Sequence, residues 1–282
     1  MAVHQHTFLS LNCFLMGASS CLALLFVRTF LHIAALMPAF LCIDYLYLKS
    51  FLVDEEYRVG VRATLLGLVF SIGVVLVDLG SSALKPMGIY TCFLSMFHFT
   101  EFLAIAVTNP KSLSVRSFVL DNGLEYKVAA IACWIEFFVE LYLFPGLKTM
   151  WYFSVLGFVM CFSGEFLRKL AMWTASSNFN HEVQSVHADG HVLVTHGVYQ
   201  YMRHPSYVGW FIWSIGSQVL LINPICIVGY AIVSWSFFRE RIFYEEITLL
   251  NFFGAEYHDY QQKTGTGLPF IRGYILDEDH ST

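Results

Sequence analysis

The chain has 282 residues, 57% hydrophobic, 17% aromatic and only 13% charged, with a mean hydropathy of +0.60 and a net charge of −5. So little polar surface cannot coat a soluble globule of this size, which excludes a water-soluble enzyme and points to an all-α integral membrane protein. No basic run points to nucleic acid.

Eight apolar runs follow in chain order, at Phe8–Val27, Phe30–Leu48, Val61–Leu79, Met87–Val107, Val128–Phe144, Met150–Leu167, Tyr207–Ile222 and Ile225–Phe243. Their lengths approach the roughly 20 residues that a helix needs to cross the hydrocarbon core. The first lacks a basic leader, since Met1–Thr7 carries only histidines, and is expected to be a retained signal anchor. Breakers at Pro86, Asn109-Pro110, Pro145-Gly146 and Asn223-Pro224 separate the runs. Eight spans put both termini on one side of the membrane. That side carries 13 of the 16 Lys and Arg residues, leaving only Arg28, Lys85 and Lys148 on the other, so both ends are expected in the cytosol. All seven cysteines fall within spans and read as small hydrophobes.

The chain divides into residues 1–170, hairpin after hairpin of membrane helices one to six, and residues 171–282, where polar segments surround a single hairpin at 207–243 and form a cytosolic cap. The connection from Ala171 to Met202 is long, and its Trp173, Phe179, Val183, Val186, Val192, Leu193 and Val194 argue that it packs. Glu245–Gln262 keeps helical spacing and reads as a cytosolic helix over the bundle, ended by Gly265, Gly267 and Pro269. Glycines seven apart, at 60 and 67, 73 and 80, and 209 and 216, share helix faces where small residues allow close approach in lipid.

The polar run from Tyr199 to Tyr207 contains Arg203 and His204, and Pro205 suits a helix start whose free N–H groups would face the cytosolic surface. Tyr and Arg also gather at headgroup level as anchors, so this run alone does not establish a site. Beyond the tight Asn223-Pro224 turn, Arg239-Glu240-Arg241 and Glu245-Glu246 return to the same face, with Arg241 and Glu245 one helical turn apart. An arginine there can grip a carboxylate, and a glutamate can hold a ribose hydroxyl or a cationic ligand.

Arg203-His204-Pro205-Ser206-Tyr207-Val208-Gly209-Trp210-Phe211, the Asn223-Pro224-Ile225-Cys226 turn, Phe237-Phe238-Arg239, Glu245-Glu246, Phe252-Phe253-Gly254 with Glu256-Tyr257, and Thr266-Gly267-Leu268-Pro269-Phe270-Ile271 together resemble the protein-S-isoprenylcysteine O-methyltransferases. The likeness is close from Phe179 to Gly273 and extends loosely, through the eight-span layout, to the whole chain. It implies an endoplasmic-reticulum membrane enzyme. Its methyl donor would be S-adenosylmethionine, and its acceptor the C-terminal carboxylate of a farnesylated or geranylgeranylated cysteine on proteins such as Ras-like small GTPases. By position, the resemblance assigns the donor to Gln184, His191, Val192, Leu193, Val194, Tyr199, His204, Pro205, Ser206, Tyr207 and Glu245, and the substrate to Arg241 as the catalytic residue. Ile242-Phe243-Tyr244 departs from the family's more acidic pattern, leaving Glu245 and Glu246 intact. Phospholipid N-methyltransferases and sterol reductases share the Arg-His-Pro core and are the rival enzymes; a transporter would need paired broken helices, which are not visible.

Other polar residues fall in spans, where ionisable groups are costly. Asp44, Asp78 and Glu165 lie near span ends and are expected to reach the interface. Glu136 with Glu140, and His98 with Glu101, share helix faces and are expected to make internal hydrogen bonds. The spacings of His181, His187, His191, His196 and His204 match no common zinc motif, and no metal is expected.

Overall fold

A computed structural model describes residues 2–26, 30–121, 123–187 and 190–275, with the side chains of residues 2–5, 21 and 23–37 left undescribed. Val27, Arg28 and the C-terminal residues from Asp277 to Thr282 therefore lie outside the described residues. The described chain is helical: α1 (Ala2–Phe26), α2 (Phe30–Phe51), α3 (Asp54–Leu79), α4 (Lys85–Thr108), α5 (Gly123–Leu143), α6 (Trp151–Ala175), α7 (Pro205–Leu221), α8 (Pro224–Phe253) and α9 (Ala255–Lys263). Each predicted apolar run occupies its own helix, from α1 to α8. By length and composition, α3 and α4 are long and apolar enough to cross a membrane.

Backbones meet where the side chains are small. A Cβ placed on Gly164 of α6 would come within 2.5 Å of the Gly209 carbonyl of α7, and one on Gly209 within 2.6 Å of the Gly164 carbonyl. Gly67 faces the Phe14 carbonyl of α1 in the same way. Dispersion contacts between closely approaching backbones replace the hydrophobic drive that helices lack in lipid. The pair at 73 and 80 does not share this use: Gly73 packs on Gly88, whereas Gly80 ends α3.

The turn between α7 and α8 is fastened by charges from α5 and the loop after it. Glu136 accepts the Ile225 and Cys226 N–H groups at the start of α8, both at 2.7 Å. Lys148 is buried and donates to Glu140, to Asn223 and to the Leu221 and Ile222 carbonyls. His98 bridges the Phe118 carbonyl and the Tyr126 hydroxyl. These are the internal bonds expected of Glu136, Glu140 and His98.

Three expectations need correction. Glu245–Gln262 is not one separate helix, because α8 runs unbroken to Phe253 and α9 begins only after Gly254, whose φ of +52° favours glycine. The charges at 239–246 change what the helix faces without breaking it, since Arg and Glu are good helix formers. Asp44 does not reach a surface; it is buried and accepts from Ser20 at 2.8 Å. The connection after α6 packs only in part: Phe179 joins Ile105, Met172 and Ala175, while Val186 and Val192 are exposed.

Candidate functional site

The polar run before α7 is held by a dense buried network. Arg203 donates from Nε to Glu246 at 2.8 Å, and its other nitrogens bond the Gln261, Thr264 and Arg272 carbonyls. Glu246 also accepts from His204 Nε2 at 3.0 Å, Gln261 at 3.1 Å and the Tyr274 N–H at 2.9 Å. Burial pushes the Glu246 carboxyl up, but the His204 hydrogen bond and the charge of Arg203 outweigh it and hold the group below the usual carboxylate range. The segment after α9 is thereby drawn back along α7 and α8, where Leu268 and Ile271 pack on Tyr207, Val208, Phe238 and Ile242. Ile242, the apolar departure in sequence, is fully buried there. Arg203 and Glu246 are thus fasteners, with four of the five Arg203 N–H donors committed to the carboxylate and the three carbonyls.

Beside this network lies a cavity of about 1140 Å³, walled by α7, α8, the end of α6, the start of α3 and the segment 178–194. Gln184, His191, Val192, Leu193, Val194, Tyr199, His204, Ser206, Tyr207, Arg241 and Glu245 all line it. Pro205 is buried at the first turn of α7 and does not. Arg239 is exposed, with its guanidinium over the Trp235 ring.

On the cavity wall, Tyr207 stands between Arg241 and Glu245 of α8. Its hydroxyl donates to Glu245 Oε2 at 2.5 Å and accepts from Arg241 Nε at 2.9 Å. Its ring stacks on His204 and Phe238, with centroids 5.6 and 5.1 Å away. Arg241 also donates from Nη2 to the His181 carbonyl, while Nη1 has no hydrogen-bond partner among the described residues. His191 and His187 pack edge-on against Phe252 and Phe253, and burial, followed by the neighbouring His187, lowers the pKa of His191. Tyr199 is pinned by Tyr260, which donates to its carbonyl at 2.5 Å, and burial raises its phenol.

Sequence reasoning passed over part of the wall. Arg168 and Trp210 line the cavity, and Arg168 makes a paired contact to the fully buried Glu101, with both bonds at 2.7 Å. Lys169 and His181 also reach Glu101. In the sequence Arg168 counted only as a cytosolic charge, although a carboxylate inside span four already called for a cationic partner. Arg58 and Arg62, at the start of α3, line the cavity as well. Among the described residues, no group of three His, Cys, Asp or Glu side chains is placed to hold a metal ion.

A family model described as isoprenylcysteine carboxyl methyltransferase matches residues 155–251, which include α7, most of α6 and α8, and much of the cavity wall. The chain is 50% identical over 232 residues to the protein-S-isoprenylcysteine O-methyltransferase of Tribolium castaneum, covering 82% of this chain and 83% of that one. It is 53% identical over 222 residues to the Homo sapiens protein of the same name, covering 79% and 78%. The chain belongs to the isoprenylcysteine carboxyl methyltransferase family. A solved structure of the eukaryotic intramembrane Ras methyltransferase of this family, without a monobody, superimposes with a TM-score of 0.90 at 44% identity, covering 96% of this chain and 99% of that one. The isoprenylcysteine carboxyl methyltransferases are membrane enzymes whose methyl donor is S-adenosylmethionine, and the all-helical fold described above is theirs.

Proposed function

We propose that this chain methylates the C-terminal carboxylate of a farnesylated or geranylgeranylated cysteine, forming a methyl ester, with Arg241 gripping the carboxylate. The observation that carries the assignment of roles is the Tyr207 hydroxyl placed between Arg241 and Glu245 on one cavity wall. It gives the wall a cationic and an anionic end a few ångströms apart, matching one anionic and one cationic reactant.

The residues present suit S-adenosylmethionine, a sulfonium cation carrying an adenosine. Glu245 offers a half-buried carboxylate that Tyr207 holds through its hydroxyl, and His191 offers an aromatic face. Gln184, Val192, Leu193, Val194, Tyr199, His204 and Ser206 complete that side, while Pro205 supports it by starting α7 at the wall. When bound, the donor supplies an activated methyl group. The nucleophile is a carboxylate whose reference pKa of roughly 3.5 leaves it ionised at pH 7, so the protein need not remove a proton. Its work is alignment and partial desolvation. Arg241 orients the carboxylate through Nη1, and the cavity walls exclude water.

The wider setting belongs to the same proposal. Helices α1 to α7, and α8 as far as Phe243, span the endoplasmic-reticulum membrane, residues 1–170 form the first six spans, and the polar segments of residues 171–282 around the α7–α8 hairpin build the cytosolic cap. The prenyl tail partitions into lipid at about 0.8 kcal/mol per methylene and enters laterally beneath the cap. Substrate proteins include Ras-like small GTPases. Tritiated methyl transfer from S-adenosylmethionine to N-acetyl-farnesylcysteine in detergent tests the reading. Base-labile incorporation is expected. Base-stable product on a phospholipid would favour amine methylation instead, and no incorporation would refute both.

A further inference from the structure

The segment from Asn178 to Gln184 crosses the cavity as a strap between α4 and α8. Asn109 at the end of α4 donates to the Phe179 carbonyl at 3.0 Å, and Glu182 pairs with Arg116 at 3.1 Å. Between these points His181 makes two contacts of different kinds. Its ring Nε2 bonds Glu101 at 2.7 Å, and its backbone carbonyl accepts from Arg241 Nη2. Glu101 is a fully buried anchor, also held by Arg168 and Lys169.

The choice of acceptor bears on Arg241. With Glu245 one turn further along α8, a direct ion pair is the default outcome for this spacing. It is prevented on one side by the Tyr207 hydroxyl and on the other by the His181 carbonyl, both neutral acceptors. Neutral partners fix the guanidinium plane without supplying a counter-charge. The full positive charge therefore stays available to an incoming carboxylate at Nη1, where a carboxylate partner would compete with the substrate.

Building on the proposed function, we propose that His181 is the positioning residue of Arg241, its ring clamped on Glu101 so that its carbonyl orients the guanidinium for the substrate carboxylate. Shortening or removing the ring frees the carbonyl and leaves the guanidinium held by the Tyr207 hydroxyl alone, no longer oriented toward the substrate. Substrate binding suffers first, because Glu245 on the donor side is held by Tyr207 and not by the strap.

The test uses the full chain in detergent, with kcat and KM measured for N-acetyl-farnesylcysteine and the affinity for S-adenosylhomocysteine by calorimetry. In His181→Ala and His181→Asn, kcat/KM for the prenylcysteine should fall at least about tenfold, mainly through KM, with donor-product affinity within about twofold of the parent. His181→Gln, whose amide nitrogen reaches about as far as the ring Nε2, should recover most of that loss. Asn109→Ala cuts the strap two residues from His181 without touching Arg241 or Glu101, and should stay near the parent value. His181→Asn is the informative variant if the alanine change unfolds the strap, because it keeps a polar side chain and alters only its reach. The inference is overturned if His181→Asn keeps parental kcat/KM, if His181→Gln is no better than His181→Asn, or if Asn109→Ala shows the same defect. Failure of the parent chain to methylate the prenylcysteine would overturn the functional reading, and this inference with it.

Discussion

Arg203 and Glu246, 43 residues apart in sequence, meet at 2.8 Å with both side chains buried, closing the two ends of the α7–α8 hairpin. Glu246 has further donors in His204, Gln261 and the Tyr274 N–H, so removing the arginine leaves a charge that cannot be rehydrated without opening the fold. Arg203→Met should cost about 3–5 kcal/mol of stability, the range for breaking one partner of a buried pair. Thermal unfolding in detergent, with and without high salt, checks this: a buried pair resists screening, whereas a salt-sensitive loss would mark it as exposed.

The depressed pKa of Glu246 gives stability a direction with pH. A carboxyl whose folded pKa lies below its unfolded value of about 4.3 contributes its full stabilisation above that value and loses it as pH falls through the folded pKa. Unfolding midpoints from pH 7 down to 3 should therefore drop more steeply below about pH 4.3 in the parent than in Glu246→Gln, which starts lower. Parallel curves would remove Glu246 from the explanation.

Tyr207 separates Arg241 from Glu245, so Tyr207→Phe should let the two collapse into an ordinary helix ion pair. Because a hydrogen bond to a charged group is worth about 1.5–3 kcal/mol, kcat/KM should fall roughly 10- to 100-fold. The ring still stacks on His204 and Phe238, so the unfolding midpoint should hardly move. An equal loss of stability and activity would assign the hydroxyl a structural part only.

Lys148 fastens the far end of the same hairpin, well away from the cavity. Lys148→Met strands Glu140, Asn223 and the Leu221 and Ile222 carbonyls, and should destabilise by about 3–5 kcal/mol while leaving donor-product affinity unchanged. Parallel melting curves and calorimetry separate the two effects.

The eight helices were legible because apolar length and Asn-Pro punctuation are local signals, as in Asn223-Pro224, which does open α8. Convergence of Arg241 with the Tyr199–Tyr207 run was legible from the hairpin alone. The division of labour was not. Nothing local distinguishes Arg203, which commits four N–H groups to Glu246 and three carbonyls, from Arg241, whose Nη1 has no hydrogen-bond partner among the described residues, since that depends on where the segment 264–274 returns. Arg168, His181 and Glu101 come from three separate elements, so no spacing rule joins them. Two of them had a separate signal: Glu101 as a carboxylate in an apolar run, and His181 within a long connection.

The central claim divides the wall into a substrate end at Arg241 and a donor end at Glu245. Measuring prenylcysteine turnover and S-adenosylhomocysteine affinity on the same preparations of Arg241→Ala and Glu245→Ala tests it most directly. Arg241→Ala should lose most turnover yet keep donor-product affinity, and Glu245→Ala should lose affinity first. Near-normal turnover in Arg241→Ala, or undiminished affinity in Glu245→Ala, would contradict the account.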